Sequence, residues 1–455
     1  MKLRAWQKEC IAHALLRFEK SPHYFCQATP AAGKTLLAAE IARRLLNQSK
    51  VDIVVCFSPS SQVVDSTQRA FEQTLGKSFD GKIGSQGIAV TYQSLGYQSP
   101  NFWRLFEDYN VFAIFDEIHH CSAGSDSMIS NAWGQRVIQE VQDKAAFTLA
   151  LSGTPWRSDE QAIALARYSH PDGRLIVDYQ YSIQRAVAEK VCRKPSITLV
   201  DHDHVHLRDE SNNEQSFSSL GQLLDSSDVT YEWLVTHEAV NKHLLLMANN
   251  QLNKGRELTP DAGALAVATS IAHAYRIESY LKELGESPVV VTTKTADANS
   301  AIDTFRKNRR RWIIAVGMIA EGTDIPRLQV CCYLSRIRTE LYFRQVLGRV
   351  LRHRLKGDNS ASLMLIAEPE LVKFAERVDN DLPDHLSIIN FQKLELPRED
   401  NVYSEGENGS CQREGGDEGG DSPETGFAEL ETVNPAKKLS MTFEGMFRHQ
   451  LLELF

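Results

Sequence analysis

Residues His23–Leu46 read HYFCQATPAAGKTLLAAEIARRLL, and the order of three patterns within them decides the fold. The short apolar run HYFCQA has the length and composition of a buried strand. The run TLLAAEIARRLL carries apolar residues at helical spacing. Between them sits ATPAAGKT (Ala28–Thr35), which closes like the phosphate loop G-x-x-x-x-G-K-[ST] but opens on alanine instead of glycine. Strand, loop and helix in that order turn backbone N–H groups and the positive end of the helix dipole toward an anion. Lys34 supplies a point charge for the β and γ phosphates of a nucleotide, Thr35 supplies a hydroxyl for Mg2+, and Gly33 lets the backbone approach closely. Pro30 has no N–H, so the donors of such a cradle begin at about Ala32.

The same alternation continues in both directions. HYFCQA, VDIVVCFS (Val51–Ser58), GIAVTY (Gly87–Tyr92), VFAIFD (Val111–Asp116) and FTLALSG (Phe147–Gly153) read as buried strands separated by amphipathic stretches. That pattern predicts a parallel sheet with helices on both faces. A second series begins near Gly263 with GALAVATS, SPVVVTT, RWIIAVG, VCCYLS and ASLMLIAE. The expected organisation is an α/β domain over 1–190, a linker with a helical insert over 191–262, and a second α/β domain over 263–395. An acidic, glycine-rich linker over 396–436 has too little apolar surface to fold and is expected to be disordered. In KKLSMTFEGMFRHQLLELF (Lys437–Phe455), Phe443, Phe447, Leu451 and Leu454 make an apolar stripe at helical spacing. An amphipathic helix is expected there, docked on the body or presented to a partner protein such as a nuclease or defence-system subunit.

Several motifs close strands. In FDEIHH (Phe115–His120), Asp116 can hold Mg2+ and Glu117 can polarise an attacking water. LSGTPWR (Leu151–Arg157) and MIAEGTDIP (Met318–Pro326) also follow strands. FRQVLGRVLRHR (Phe343–Arg354) sets Gln345, Arg349 and Arg352 on one helix face, where two arginines can reach a shared phosphate. In DHDHVH (Asp201–His206) the three histidines alternate, but the spacing fits no standard zinc pattern, and a polar, solvent-facing strand is expected.

LRAWQ, ATPAAGKT, FSPS, TYQSL, DEIHH, SGTP, EGTDIP and QVLGRVLR occur in an order that resembles superfamily 2 helicases and translocases. The combination is closest to the branch with type I and type III restriction translocases and related DNA-repair and phage-defence helicases. The resemblance covers roughly residues 1–190 and 263–370. It implies two tandem RecA-like domains around a cleft, ATP and Mg2+ as cofactors, and a motor acting on single- or double-stranded DNA. An RNA helicase and an ATP-gated sensor that recruits a separate nuclease remain the alternatives. It further implies that Gln7 reads adenine, and that His119 links the hydrolytic site to Gln345. Ser152 and Thr154 would couple ATP state to strand contacts, while Gly322 and Asp324 would line the interdomain site. Ser58, Pro59, Ser60, Thr91, Tyr92, Gln93, Thr269 and Thr323 would meet the nucleic-acid backbone. Many relatives carry glycine where this chain has Ala31.

The net charge is −9, from 50 basic and 59 acidic residues. Residues 398–426 hold nine acids against Arg398 and Arg413, which leaves only −2 for everything else. A near-neutral body can carry local basic surfaces such as RKNRRR (Arg306–Arg311). No apolar run approaches the ~20 residues needed to cross a bilayer, so no membrane association is expected. The N-terminus MKLRAWQKEC shows no secretory leader, and the eight scattered cysteines suit reduced thiols in a cytoplasm.

Overall fold

The computed structural model describes residues 2–122, 132–156, 161–208, 213–292, 294–295, 297–317, 325–353, 360–378 and 439–454. The first domain holds strands β1 (His23–Ala28), β2 (Ile53–Ser58), β3 (Gly87–Thr91), β4 (Val111–Asp116) and β5 (Phe147–Ser152). A small hairpin, β6 (Arg167–Tyr168) with β7 (Leu175–Ile176), leads to β8 (Tyr179–Tyr181). Its helices are α1 (Ala5–Phe18), α2 (Lys34–Asn47), α3 (Ser61–Leu75), α4 (Pro100–Asp108), α5 (Ala132–Val137) and α6 (Ile183–Ala188). The sheet order is β3-β2-β4-β5-β1-β8, parallel at every described pairing.

Strand periodicity explains the layering. Tyr24, Cys26, Val54, Cys56, Phe112 and Ile114 face a core shared with α1 and α2. Their sequence neighbours Phe25, Val55, Phe57, Ala113 and Phe115 face a second core with Phe102 and Phe106 of α4 and Val137 of α5. Buried on both faces, these strands are apolar throughout instead of alternating, as a sheet covered on both sides requires.

The second domain comprises β9 (Lys194–Asp201), β10 (Val205–Arg208), β11 (Glu214–Phe217), α7 (Leu220–Ser226), α8 (Tyr231–Val235), α9 (Glu238–Leu258), β12 (Gly263–Ala268) and α10 (Ile271–Glu283). It continues through β13 (Val289–Val291), α11 (Ala298–Lys307), β14 (Trp312–Val316), β15 (Leu328–Leu334), α12 (Glu340–Val350), β16 (Ser360–Ile366) and α13 (Pro369–Glu376). Its sheet runs β13-β14-β12-β15-β16-β9-β18, where β18 is Arg448–Glu453. These are the expected tandem α/β domains.

Two expectations are corrected. Residues 191–262 are not a helical insert apart from the sheet. β9 is a full member of the second sheet, parallel to β16, and α9 packs on it, with Cys332 Sγ bonded to the Leu244 carbonyl at 3.5 Å. KPSITLVD is buried between β16 and β18, but its single lysine, proline and aspartate mask the strand pattern. The C-terminal segment is not a helix. β17 (Ser440–Phe443) pairs antiparallel with β10, and β18 pairs antiparallel with β9. Phe443 and Phe447 lie against His202, with ring centroids 5.1 and 4.7 Å away. Phe443, Phe447 and Leu454 are half-buried on this chain's own body, Leu451 stays exposed, and the segment is not offered as a helix to a partner. Period alone cannot separate helix from strand in so short a run, and a distant pairing decided it.

DHDHVH is also corrected: β9 ends at Asp201 and β10 begins at Val205, so the three histidines straddle a turn, and His202 is fully buried. Among the described residues no group of three or more histidine, cysteine or acidic side chains could hold a metal ion. The acidic linker lies outside the described residues. No described helix is long and apolar enough to cross a membrane.

Candidate functional site

The loop Thr29–Gly33 joins β1 to α2 and takes two left-handed residues to do so. Ala31 has φ 68° and Gly33 φ 95°. The second suits glycine; the first costs an alanine roughly 1 kcal/mol, and it explains why glycine would fit at this position. The loop is braced from α1. Gln7 is buried; its Oε1 accepts from the Arg4 N–H at 2.9 Å and its Nε2 donates to the Gly33 carbonyl at 3.0 Å. The Arg4 guanidinium donates to the Ala32 carbonyl at 2.6 Å. Arg4 therefore joins Gln7 as a loop-positioning residue, although only the glutamine of LRAWQ stood out in the sequence.

Lys34 Nζ lies 3.0 Å from Glu117 Oε1 and donates to the Ala28 carbonyl at 3.3 Å. Glu117 itself has φ 51°, a strained conformation for a residue with a side chain. That turn aims its other oxygen at the end of β5, where Ser152 Oγ (3.3 Å) and the Gly153 N–H (3.2 Å) donate to it. His119 Nδ1 sits 2.9 Å from Ser152 Oγ, and the Thr154 N–H reaches the same hydroxyl at 3.1 Å. Glu117, His119, Ser152 and Thr154 thus form one bonded group linking β4 to β5. Burial raises the Glu117 carboxyl, but Lys34, His119 and the Gly153 N–H outweigh it and hold it well below the usual carboxylate range. Burial pushes Asp116 the other way, reinforced by the Glu117 charge and only partly countered by Lys34.

Asp116 Oδ1 is buried and has no hydrogen-bond partner, while Thr35 is the second residue of α2, directly after Lys34. An orphaned carboxylate oxygen beside the loop fits a Mg2+ site made by Asp116 and Thr35. Such an ion would neutralise charge developing on a transferring phosphate.

The second domain reaches this loop through α12. A Cβ built on Gly348 would lie 2.5 Å from Pro30 Cβ, so the helix touches the loop directly. Arg349 and Arg352, half-buried, follow from there, and Gln345 lies one turn earlier. Burial pushes the Arg352 guanidinium down to about 10, which leaves it protonated at neutral pH. Arg344 stacks over Trp156 across the domain boundary, 5.4 Å from the ring centroid. Gly322, Thr323 and Asp324 lie outside the described residues.

The expected nucleic-acid residues divide. Pro59, Ser60, Thr91 and Gln93 cluster at the ends of β2 and β3, with Gln93 Nε2 bonded to the Pro59 carbonyl at 3.1 Å. The Ser58 and Tyr92 side chains are buried, and the Tyr92 hydroxyl donates to the Asp116 carbonyl at 2.9 Å. Thr269 directly follows β12, and its N–H and hydroxyl both donate to His273 Nδ1, at 3.2 and 3.1 Å. With Nδ1 accepting, the proton sits on Nε2, which meets Asn241 Oδ1 at 2.9 Å. Burial lowers His273 to about 3, so it stays neutral. His273 and Asn241 hold Thr269, and nothing in the local pattern IAHAYRIES marks the histidine.

Residues 1–157 match the family described as "Type III restriction enzyme, res subunit". An uncharacterized protein of Mycobacterium leprae is 30% identical over 394 residues, 83% of this chain. This chain spans 64% of that relative's length. A Sulfurisphaera tokodaii protein called DNA 3'-5' translocase XPB2 is 22% identical over 389 residues, 80% of this chain and 81% of its own. A solved ATP-dependent Type ISP restriction-modification enzyme, LlaBIII, bound to DNA, shares the fold with a TM-score of 0.56. That match has 14% identity and covers 84% of this chain and 30% of the other. Fold and ordered motifs are similar to those of superfamily 2 helicases and translocases.

Proposed function

We propose that this chain is an ATP-driven DNA translocase or helicase of the restriction, phage-defence and repair branch. The observation that carries the reading is the Lys34–Glu117 pair beside the unpartnered Asp116 oxygen, with the Arg349 helix seated on the same loop. Lys34 and the α2 N-terminus hold the phosphates, Asp116 and Thr35 hold Mg2+, and Glu117 orients the attacking water. When a phosphate takes Lys34, Glu117 is released to act on water. Arg349 and Arg352 add positive charge from the second domain, so hydrolysis depends on cleft closure. Strand contacts at the ends of β2, β3 and β12 go to phosphates, and they position the strand without reading its sequence.

The test is ATPase rate with matched single-stranded DNA, duplex DNA and RNA, alongside strand displacement. Stimulation by DNA that weakens steeply between low and moderate salt is expected, because phosphate contacts dominate such binding. Stronger stimulation by RNA at matched length and salt would replace DNA as the substrate. Absence of stimulation by any nucleic acid would sink the motor reading.

A further inference from the structure

We propose that the Pro30 ring is the seat on which the second domain's arginine helix rests, and that Gly348 is a positioning residue because only glycine leaves room for that seat. The proposal rests on the reading of Ala28–Thr35 as the ATP loop. Pro30 is held between two glycines from different domains. A Cβ on Gly153 would come within 3.1 Å of Pro30 Cδ, and one on Gly348 within 2.5 Å of Pro30 Cβ and 3.0 Å of Cγ. Gly153 is also the residue whose N–H donates to Glu117. One rigid ring therefore touches the loop that follows β5 on one side and α12 on the other. A proline ring is fused to its own backbone and cannot swing aside as a flexible side chain would.

The seat is tied to the connection between the domains as well. Cys192 Sγ contacts the Pro30 carbonyl at 3.6 Å. Its neighbour Arg193 holds the end of α12, through its N–H to the Leu351 carbonyl (2.7 Å) and its guanidinium to the Val350 carbonyl (2.6 Å). Two adjacent residues thus hold the two parts, Cys192 the seat and Arg193 the helix end. Arg349 follows Gly348 directly, so the helix-to-loop spacing fixes where both candidate arginines stand relative to the phosphates. Misplacement of about 1 Å at such a site lowers rates on the order of 10²-fold.

The experiment is a double-mutant cycle in the full chain with Gly348→Ala, Pro30→Gly and both together. Alanine is the better helix former, so a loss in Gly348→Ala reports the contact and not a weakened helix. Nucleic-acid-stimulated kcat for Gly348→Ala should fall about tenfold or more with the KM for ATP within about threefold. The double variant should return to the kcat of Pro30→Gly alone. A second readout needs no hydrolysis. Gln62 of α3 and Asn299 of α11 are hydrogen-bonded across the domains, so cysteines at both positions can be bridged by a short bismaleimide. Bridging without nucleotide should slow in Gly348→Ala and recover in the double variant. Wild-type kcat and bridging in Gly348→Ala, or a double variant as impaired as that single change, overturns the proposal. Lys34→Ala separates the two readings: if it keeps full turnover, the ATP-loop assignment fails while the bridging rates still decide the seat.

Discussion

The two domains use their buried charges in opposite ways. In the first, Lys34 pairs with Glu117 beside a loop, and the neighbouring Asp116 has one carboxylate oxygen without a partner. In the second, buried arginines are spent on the backbone. Arg193 donates to the carbonyls of Pro326, Leu328 and Val350, and Arg327 to those of Phe305, Asp261 and Arg310. Arg344 joins Glu340 and the carbonyls of Arg377 and Val378. The first arrangement can be rearranged by a ligand; the second holds loops and strand ends in place.

Three measurements press on that contrast. Lys34→Ala removes the charge proposed to meet the transferring phosphate, and turnover should fall on the order of 10²-fold or more. Its melting temperature should stay within a few degrees of wild type, because the lysine's partner Glu117 keeps Ser152 and Gly153 as donors. A large drop in melting temperature would erase the distinction between the domains. Arg327→Met should do the reverse. Three carbonyls lose their donor, at a cost of about 2–4 kcal/mol, read as a lower denaturant midpoint with ATP turnover per folded molecule preserved. An unchanged midpoint would show that these bonds are replaceable by water.

The smallest effect concerns acid. His243 Nε2 is 3.0 Å from His449 Nε2 of β18, and its ring stacks on Phe447. Burial, followed by His449 and His202, lowers His243 to about 4. The unfolded chain takes up that proton near pH 6.5, so the contribution is complete above about 6.5 and fades as pH falls toward 4. Discounted for partial exposure, it amounts to roughly 1 kcal/mol. His243→Phe should flatten the decline in melting temperature across that window, and an unaltered slope would remove the pair from the account.

What the sequence disclosed follows the same division. β1 and β4 were legible to the residue, because a parallel strand buried on both faces is an uninterrupted apolar run closed by a loop signal. Lys34 and Glu117 stood out because a phosphate-loop pattern and a strand-closing acid are local signals, whereas Ser152 stood out only through the family resemblance; the structure brings the three together. β9 and β18 were not. Their strand character arises from pairing with each other and with β16, across long stretches of chain, and neither carries a local signal for it. Tyr92 illustrates the remaining gap: its motif was recognised, yet its hydroxyl turns inward to Asp116. Gly348 was visible as a letter within QVLGRVLR, but only coordinates show the proline it accommodates.

The pairing of β9 with β18 has a consequence for how the molecule is made. Ser196 lies opposite Glu453, and Val200 opposite His449. As the chain leaves the ribosome, β9 emerges with neither neighbour available; β16 follows later, and β18 only after roughly 250 further residues. Throughout that interval an apolar strand with open N–H and C=O groups is exposed to any other nascent chain. The first domain needs nothing from so far downstream and can assemble while the second is still being translated. Chaperone dependence, inclusion-body formation and truncation damage should therefore all concentrate in the second domain, at the edge of one strand that waits for its cover.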